Sequence, residues 1–99
     1  MSTVMIRATV RNESVGELET AVGKMFAAIE REGPDGVRYA SCKLPDGVTF
    51  VVFLSLDDPQ NNPLTAIPEF LEFQNGLRGW IAGPPTPEPL TVLGSYRLF

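Results

Sequence analysis

The sequence predicts an α+β fold whose elements follow the order strand, helix, strand, strand, helix, strand. Residues 4–10, 37–44, 48–56 and 90–99 carry the alternation or the β-rich composition of strands. Two intervening stretches carry apolar residues at spacings of three and four, which is the period of a helix. Gly- and Pro-rich segments separate the elements and mark turns and loops.

The first helix follows the first strand closely. Apolar and more polar residues alternate over 4–10, as in a strand with one partly polar face. Ser14 and Glu17 have the spacing of a capping box, in which two side chains satisfy the exposed amides of a helix start. We therefore expect this helix to begin at Ser14. Gly33 and Pro34 predict its end, because a C-cap glycine is followed by a residue that cannot continue the helix.

The two middle strands form a predicted hairpin whose second strand is apolar on both faces. Pro45-Asp46-Gly47 supplies the turn between 37–44 and 48–56. Alternate residues of the second strand, from Val48 onward, place one apolar row on one face, and Val51 and Phe53 dominate the other. Neither face of this strand is therefore suited to water.

The second helix is predicted to begin near Pro68, since proline is favoured in the first turn of a helix. Its apolar stripe consists of Phe70, Leu71, Phe73, Leu77, Trp80 and Ile81. Residues 83–89 contain four prolines and predict a stiff loop. We expect the last strand to run over 90–99, to the end of the sequence.

This order of elements is the split βαβ arrangement of ferredoxin-like domains, with four antiparallel strands. We predict one such domain over residues 1–99. Both helices then cover the same face of the sheet, and Val51 and Phe53 on the other face need a different cover. A second copy packed sheet against sheet supplies it. The sequence therefore predicts a homodimer of the dimeric α+β barrel type.

Composition excludes several partners and reactions. Twelve acidic and eight basic residues give a net charge of −4, which argues against a nucleic-acid surface. The longest apolar run, residues 50–54, is far too short to cross a membrane, and the first residues lack the order of a signal peptide, so we expect a cytoplasmic protein. Histidine is absent, and we predict neither a metal site nor a cofactor. The one cysteine, Cys42, alternates with apolar neighbours and is expected to be a small buried side chain.

Three segments resemble the antibiotic biosynthesis monooxygenase-like family of the dimeric α+β barrel superfamily. They are 51–54 in the middle strand, 68–73 in the second helix and 83–85 before the last strand. The resemblance implies dimers formed through the sheets and a pocket between sheet and helices. Some family members are cofactor-free oxygenases of aromatic polyketides or quinols, and others degrade haem or handle small signalling aldehydes. Haem degradation needs an axial histidine, which this chain lacks.

The catalytic candidates are Tyr39 and Arg97. A tyrosine donates a hydrogen bond to a carbonyl or enolate, or acts as a base if its pKa is lowered. An arginine stabilises a developing anion. The alternatives are a partly buried tyrosine with a satisfied hydroxyl and an arginine paired with an acid at the dimer seam, and the usual behaviour of both residue types favours these.

The substrate-pocket candidates lie on the second helix and are Phe70, Phe73, Asn75 and Trp80. Aromatic rings recognise flat ligands by stacking. The helical spacing of the three rings also fits ordinary core packing, which is the favoured alternative. Asn75 and Trp80 are five residues apart and do not share a helix face, so we assign neither a catalytic role.

Two classes of function remain. As an enzyme, the chain resembles cofactor-independent monooxygenases and acts on a small aromatic or polyketide-like compound in an apolar pocket. As a non-catalytic protein, it binds a small apolar ligand or serves as a structural dimer. An empty cavity of at least about 300 Å³ with a Tyr or Arg directed into it favours a ligand, and a filled interior favours a scaffold.

Overall fold

The computed structural model of the chain describes residues 2–99 and confirms the predicted order of elements. The strands are β1 (Ser2–Thr9), β2 (Val37–Lys43), β3 (Thr49–Leu56) and β4 (Thr86–Leu90), and the helices are α1 (Val15–Glu32) and α2 (Pro68–Trp80). The four strands form one antiparallel sheet in the order β2-β3-β1-β4. This is the ferredoxin-like arrangement.

The two faces of the sheet have different covers. Residues directly opposite one another in neighbouring strands share a face, so the pairs Ile6–Val52 and Tyr39–Leu54 define the face under the helices. The pair Met5–Phe53 defines the opposite face, which we call the outer face. The register therefore places the two apolar rows of β3 on opposite sides of the sheet, as predicted.

The core lies between the sheet and the two helices. Its buried members come from every layer and are Val10, Leu18, Met25, Ala28, Phe50, Leu64, Ile67, Phe70 and Phe73. Burial of such side chains contributes about 1.5–3 kcal/mol each for the larger ones.

No helix within residues 2–99 is both long enough and apolar enough to cross a membrane.

Both ends of α1 lie within one residue of the predicted positions, but the start lacks the predicted capping box. Gly33 adopts the left-handed conformation with φ 56°, and its N–H donates to the carbonyl of Ile29 at 2.8 Å. At the start, a 3-10 turn over Asn12–Ser14 runs directly into the helix, and Ser14 has φ −103° and ψ −5°. The extended backbone of a capping serine is therefore missing, and the Ser14 side chain makes no capping bond. The predicted capping box is wrong.

The predicted position of the last strand is also wrong, because β4 occupies Thr86–Leu90 and not residues 90–99. β4 is an edge strand, and an edge strand uses only the N–H groups on one side for its ladder. Pro87 and Pro89 alternate, so residues 86, 88 and 90 keep the N–H groups that a ladder with β1 needs. Two of the four prolines that predicted a loop are therefore compatible with a strand at this edge.

The C-terminal segment, residues 91–99, covers part of the outer face. The ring of Phe99 lies 6.4 Å from the ring of Phe53, and the buried hydroxyls of Thr3 and Ser55 on this face share a hydrogen bond of 3.0 Å. We expected this face to be left entirely to a second copy. That expectation is corrected, because the chain itself supplies part of the cover.

Candidate functional site

An interior cavity of about 150 Å³ lies between the sheet and the helices. Apolar side chains from β1, β3, α1 and α2 form most of its wall, Ile6, Leu18, Val52 and Phe73 among them. The exposed residues of the lining are Gln74 and Pro85, and they mark its mouth. Its volume is half of the roughly 300 Å³ at which ligand pockets usually begin.

Tyr39 lies on the wall of this cavity, and aromatic neighbours fix its ring. The ring stacks on Phe26 with centroids 5.3 Å apart and planes 15° from parallel. Phe70 meets it edge to face at 6.0 Å. Such aromatic pairs stabilise one ring position beyond the area that they bury. The phenol is therefore held in place before any ligand arrives.

Burial raises the pKa of Tyr39 to about 12. The charged phenolate is disfavoured because the surroundings of the ring are poor in water. The shift is opposite in direction to the lowered pKa that a role as base requires. At neutral pH the group is therefore a neutral phenol, which donates one hydrogen bond and accepts others.

Three polar side chains interrupt the apolar wall, namely Tyr39, Ser41 and Gln74. None of them makes a side-chain hydrogen bond to another part of residues 2–99. Tyr39 and Ser41 are partly buried and Gln74 is exposed, so a ligand that binds them exchanges hydrogen bonds with water for hydrogen bonds with the protein. These three side chains are therefore available to a bound molecule.

Two polar residues of the lining, Ser41 and Gln74, were missed by the sequence interpretation, and Gln74 carries a signal that could have found it. It lies four residues after Phe70 and three before Leu77, which also line the cavity. Residues at these spacings share a helix face. The sequence signal that could have identified Gln74 is thus a polar residue on the same helix face as the apolar stripe of α2.

The helix residues named from the sequence separate into two groups. Phe70 and Phe73 line the interior cavity. Asn75 is exposed and absent from the lining, because the turn of the helix carries it away from the sheet. Trp80 also lies outside the interior cavity.

Trp80 lines a separate surface groove of about 520 Å³ between α1 and α2. Its indole N–H donates to a carboxylate oxygen of Glu17 at 3.1 Å, and its ring lies 6.1 Å from that of Phe73. The ring also covers Gly76 so closely that a Cβ there would lie 2.6 Å from an indole carbon. Glu17 therefore joins the two helices, where the sequence predicted a helix cap.

Arg97 is remote from Tyr39. It belongs to the C-terminal segment, where it has φ 62° and its guanidinium lies 5.1 Å from the centre of the Tyr96 ring. The C-terminal segment contacts the outer face, whereas Tyr39 lies under the helices. The structure thus does not bring the two catalytic candidates together.

Cys42, expected to be buried, is exposed because the register places it on the outer face of the edge strand β2.

Solved structures of several other proteins share this fold. A candidate antibiotic biosynthesis monooxygenase from Nitrosomonas europaea superposes with a TM-score of 0.78 at 15% identity, over 95% of this chain and 100% of that one. SnoaB, a cofactor-independent oxygenase from Streptomyces nogalater, has a TM-score of 0.68 at 20% identity, over 97% and 96%. A conserved protein from Methanosarcina mazei Go1 has a TM-score of 0.73 at 13% identity, over 90% and 89%.

No protein-family model and no curated protein sequence matches the chain. The likeness to solved structures therefore rests on architecture, and it extends over nearly the whole chain. At these identities it shows the fold and leaves the reaction open. This chain has the ferredoxin-like α+β fold of the antibiotic biosynthesis monooxygenase-like structures.

Proposed function

We propose that this chain is a cofactor-independent oxygenase of a small aromatic compound, which binds in the interior cavity. The observation that carries the proposal is the fixed, neutral and unpartnered hydroxyl of Tyr39 on an apolar wall. SnoaB, whose fold this chain shares, is described as a cofactor-independent oxygenase. That description supports the choice of reaction.

The proposed role of the protein is electrostatic. An electron-rich phenol enters the cavity in its neutral form, and negative charge develops on its oxygen only as it passes its proton to water at the mouth, near Gln74. The Tyr39 hydroxyl donates a hydrogen bond to the phenolate oxygen. The raised pKa of Tyr39 suits this role, because a donor must keep its proton.

The substrate itself supplies the electrons in this reaction. A phenol and O₂ give a quinone and water: one oxygen atom forms a new C=O bond at a ring carbon and replaces a C–H bond there. The other oxygen atom leaves as water with the ring hydrogen and the phenol hydrogen. The ring is oxidised by four electrons and O₂ is reduced by four, so no further reductant is needed.

The test is O₂ uptake with resorcinol and methoxyphenols above the protein-free rate. Tyr39→Phe is expected to lower the initial rate by about tenfold or more, since it removes a donor aimed at the developing anion. Tyr96→Phe is the matched control, because Tyr96 is the other tyrosine and is 83% exposed. Equal rates for the wild type and Tyr39→Phe would contradict the proposed role of Tyr39.

We further propose that the chain forms a homodimer through the outer face and the C-terminal segment. This segment exposes three large apolar side chains, Leu93 at 97%, Tyr96 at 83% and Leu98 at 62%. Apolar side chains grouped on one short segment mark a surface that leaves water on association. A second copy, packed sheet face to sheet face, provides that cover.

A second candidate function is ligand binding without catalysis. The lining favours it, because it contains no carboxylate or amine that moves a proton. The volume of about 150 Å³ lies below the roughly 300 Å³ expected of a ligand site and limits the ligand of either function to a small molecule. The same experiment decides between the two functions, because a ligand that binds without O₂ uptake supports the second.

A further inference from the structure

We infer that the interior cavity selects a neutral, single-ring aromatic ligand that carries more than one oxygen substituent, recognised by Tyr39, Ser41 and Gln74. The inference rests on the proposed site and narrows its ligand class. It follows from the volume of the cavity, the charge of its lining and the positions of its polar groups.

The volume limits the ligand to one ring. Cavities of about 150 Å³ with apolar walls hold a molecule of the size of benzene. The cavity measures about 150 Å³, and its aromatic wall residues Phe50, Phe70 and Phe73 are at least 92% buried in the packed core. Close-packed walls resist expansion. Fused two- and three-ring compounds, and polyketides in particular, therefore exceed the available space.

The charge of the lining favours a neutral ligand. Its residues are apolar or uncharged polar, and they include no Lys, Arg, Asp or Glu. Transfer of a carboxylate from water to such a site has a large free-energy cost that no basic group here offsets. A benzoate is therefore rejected, although its ring has the right size.

The positions of the polar groups favour a ring with oxygen at more than one carbon. Tyr39 and Ser41 are two residues apart on β2, so they share a sheet face with Cα atoms roughly 7 Å apart. Gln74 lies on α2, on the opposite wall and at the mouth. A ring between sheet and helix thus meets hydrogen-bonding groups on two sides, and a hydrocarbon ring leaves all three unpaired.

Resorcinol is a suitable probe, because it is neutral, has one ring and carries two hydroxyls. We would titrate it into the protein under anaerobic conditions by calorimetry, beside toluene, 3-hydroxybenzoate and 1,3-dihydroxynaphthalene. We expect measurable binding of resorcinol and binding at least tenfold weaker for the other three. Tighter or equal binding of the naphthalene compound or the benzoate would overturn the inference.

Variants of the three polar residues test their roles. Tyr39→Phe, Ser41→Ala and Gln74→Leu are each expected to weaken resorcinol binding by about 2- to 12-fold, the range for one hydrogen bond. Toluene binding is expected to remain unchanged or to rise. Asn75→Leu is the matched control, since Asn75 is the exposed neighbour of Gln74 on the same helix. Unchanged resorcinol affinity in all three variants would also overturn the inference.

The outcomes separate this inference from the proposed reaction. Resorcinol binding with no O₂ uptake in air contradicts the oxygenase proposal and supports the ligand class. Turnover of 1,3-dihydroxynaphthalene without binding of resorcinol contradicts the ligand class and supports an oxygenase. Thermal unfolding with resorcinol present gives an independent measure, since a ligand of the native state raises the Tm.

Discussion

The phenol of Tyr39 lies on the cavity wall, and its burial there raises its pKa. The residue alternates with Arg38 and Ala40 on β2, so the sequence alone places it on one of two faces. Its pKa depends on which face the helices cover and how closely Phe26 and Phe70 pack. The sequence therefore identified the residue, and packing decided that it is a donor and not a base.

The raised pKa of Tyr39 predicts a loss of stability at high pH. The folded-state pKa is about 12 and the ordinary value is 10.0, so the unfolded chain ionises first as the pH rises. The stabilisation is fully present below pH about 10 and is lost towards pH 12, by roughly 2–3 kcal/mol for a shift of this size. The measurement is the free energy of unfolding in urea at pH 8, 10, 11 and 12.

Tyr39→Phe is the control for this pH dependence, because phenylalanine does not ionise. Every other ionisable group is the same in the two proteins, so the difference between the two curves isolates Tyr39. We expect the variant to lose less stability between pH 10 and 12 than the wild type. Parallel curves would show that the phenol titrates alike in the folded and unfolded chains.

The second helix shows how one element combines a local preference with a distant contact. Its start at Pro68 and most of its apolar stripe follow from the sequence and are observed, but Leu71, predicted as part of the stripe, is exposed. Gly76 reduces helix propensity, yet the Trp80 ring lies over it at a distance that leaves no room for a Cβ. The glycine is therefore explained by close packing against the ring.

Substitution of Gly76 by alanine tests this explanation. Alanine in a helix interior gains about 1 kcal/mol over glycine when nothing obstructs it. At Gly23 of α1 nothing lies within 4 Å of an added Cβ, so Gly23→Ala is expected to raise the free energy of unfolding by about that amount. Gly76→Ala is expected to raise the free energy of unfolding by less than this, or to lower it, because the Trp80 ring must move away from Glu17.

Trp80 is the only tryptophan, so its fluorescence reports the movement directly. Gly76→Ala is expected to shift the emission spectrum towards that of a more exposed indole, and Gly23→Ala to leave it unchanged. Equal stabilisation by both substitutions with identical spectra would contradict the packing of Trp80 on Gly76.

At the scale of the whole molecule, the outer face carries the proposed dimer contact. The C-terminal segment covers part of this face and turns Leu93, Tyr96 and Leu98 outward. Residues 91–99 therefore cover part of the apolar surface predicted on β3, and they expose apolar side chains of their own. A monomer would leave these side chains in water, which is unfavourable for apolar area.

We predict that the protein has twice the chain mass in solution at micromolar concentration, measured by light scattering. Leu93→Glu with Leu98→Glu is expected to give the single-chain mass, because two charges then oppose desolvation of the contact. Leu71→Glu is the matched control, since Leu71 is also exposed, at 46%, but lies on α2. A monodisperse wild-type monomer would contradict the dimer.

The single cysteine provides a chemical probe of the proposed dimer contact. Cys42 is exposed on the outer face, so a dimer through this face slows its reaction with a maleimide. Dilution below the dissociation constant is expected to restore the rate. A rate that does not depend on concentration would place any dimer contact elsewhere.

The sequence by itself determined the order of elements, both ends of α1 and the start of α2 to within about one residue, and the two apolar rows of β3. These features depend on local period and on Gly and Pro chemistry, which act over a few residues. Only the tertiary structure decided the position of β4, the contact of Glu17 with Trp80, the volume of the cavity and the raised pKa of Tyr39. Each of these depends on which distant segments pack together. Prolines are tolerated in β4 because it is an edge strand, and the pKa of the Tyr39 phenol rises because burial excludes water from it.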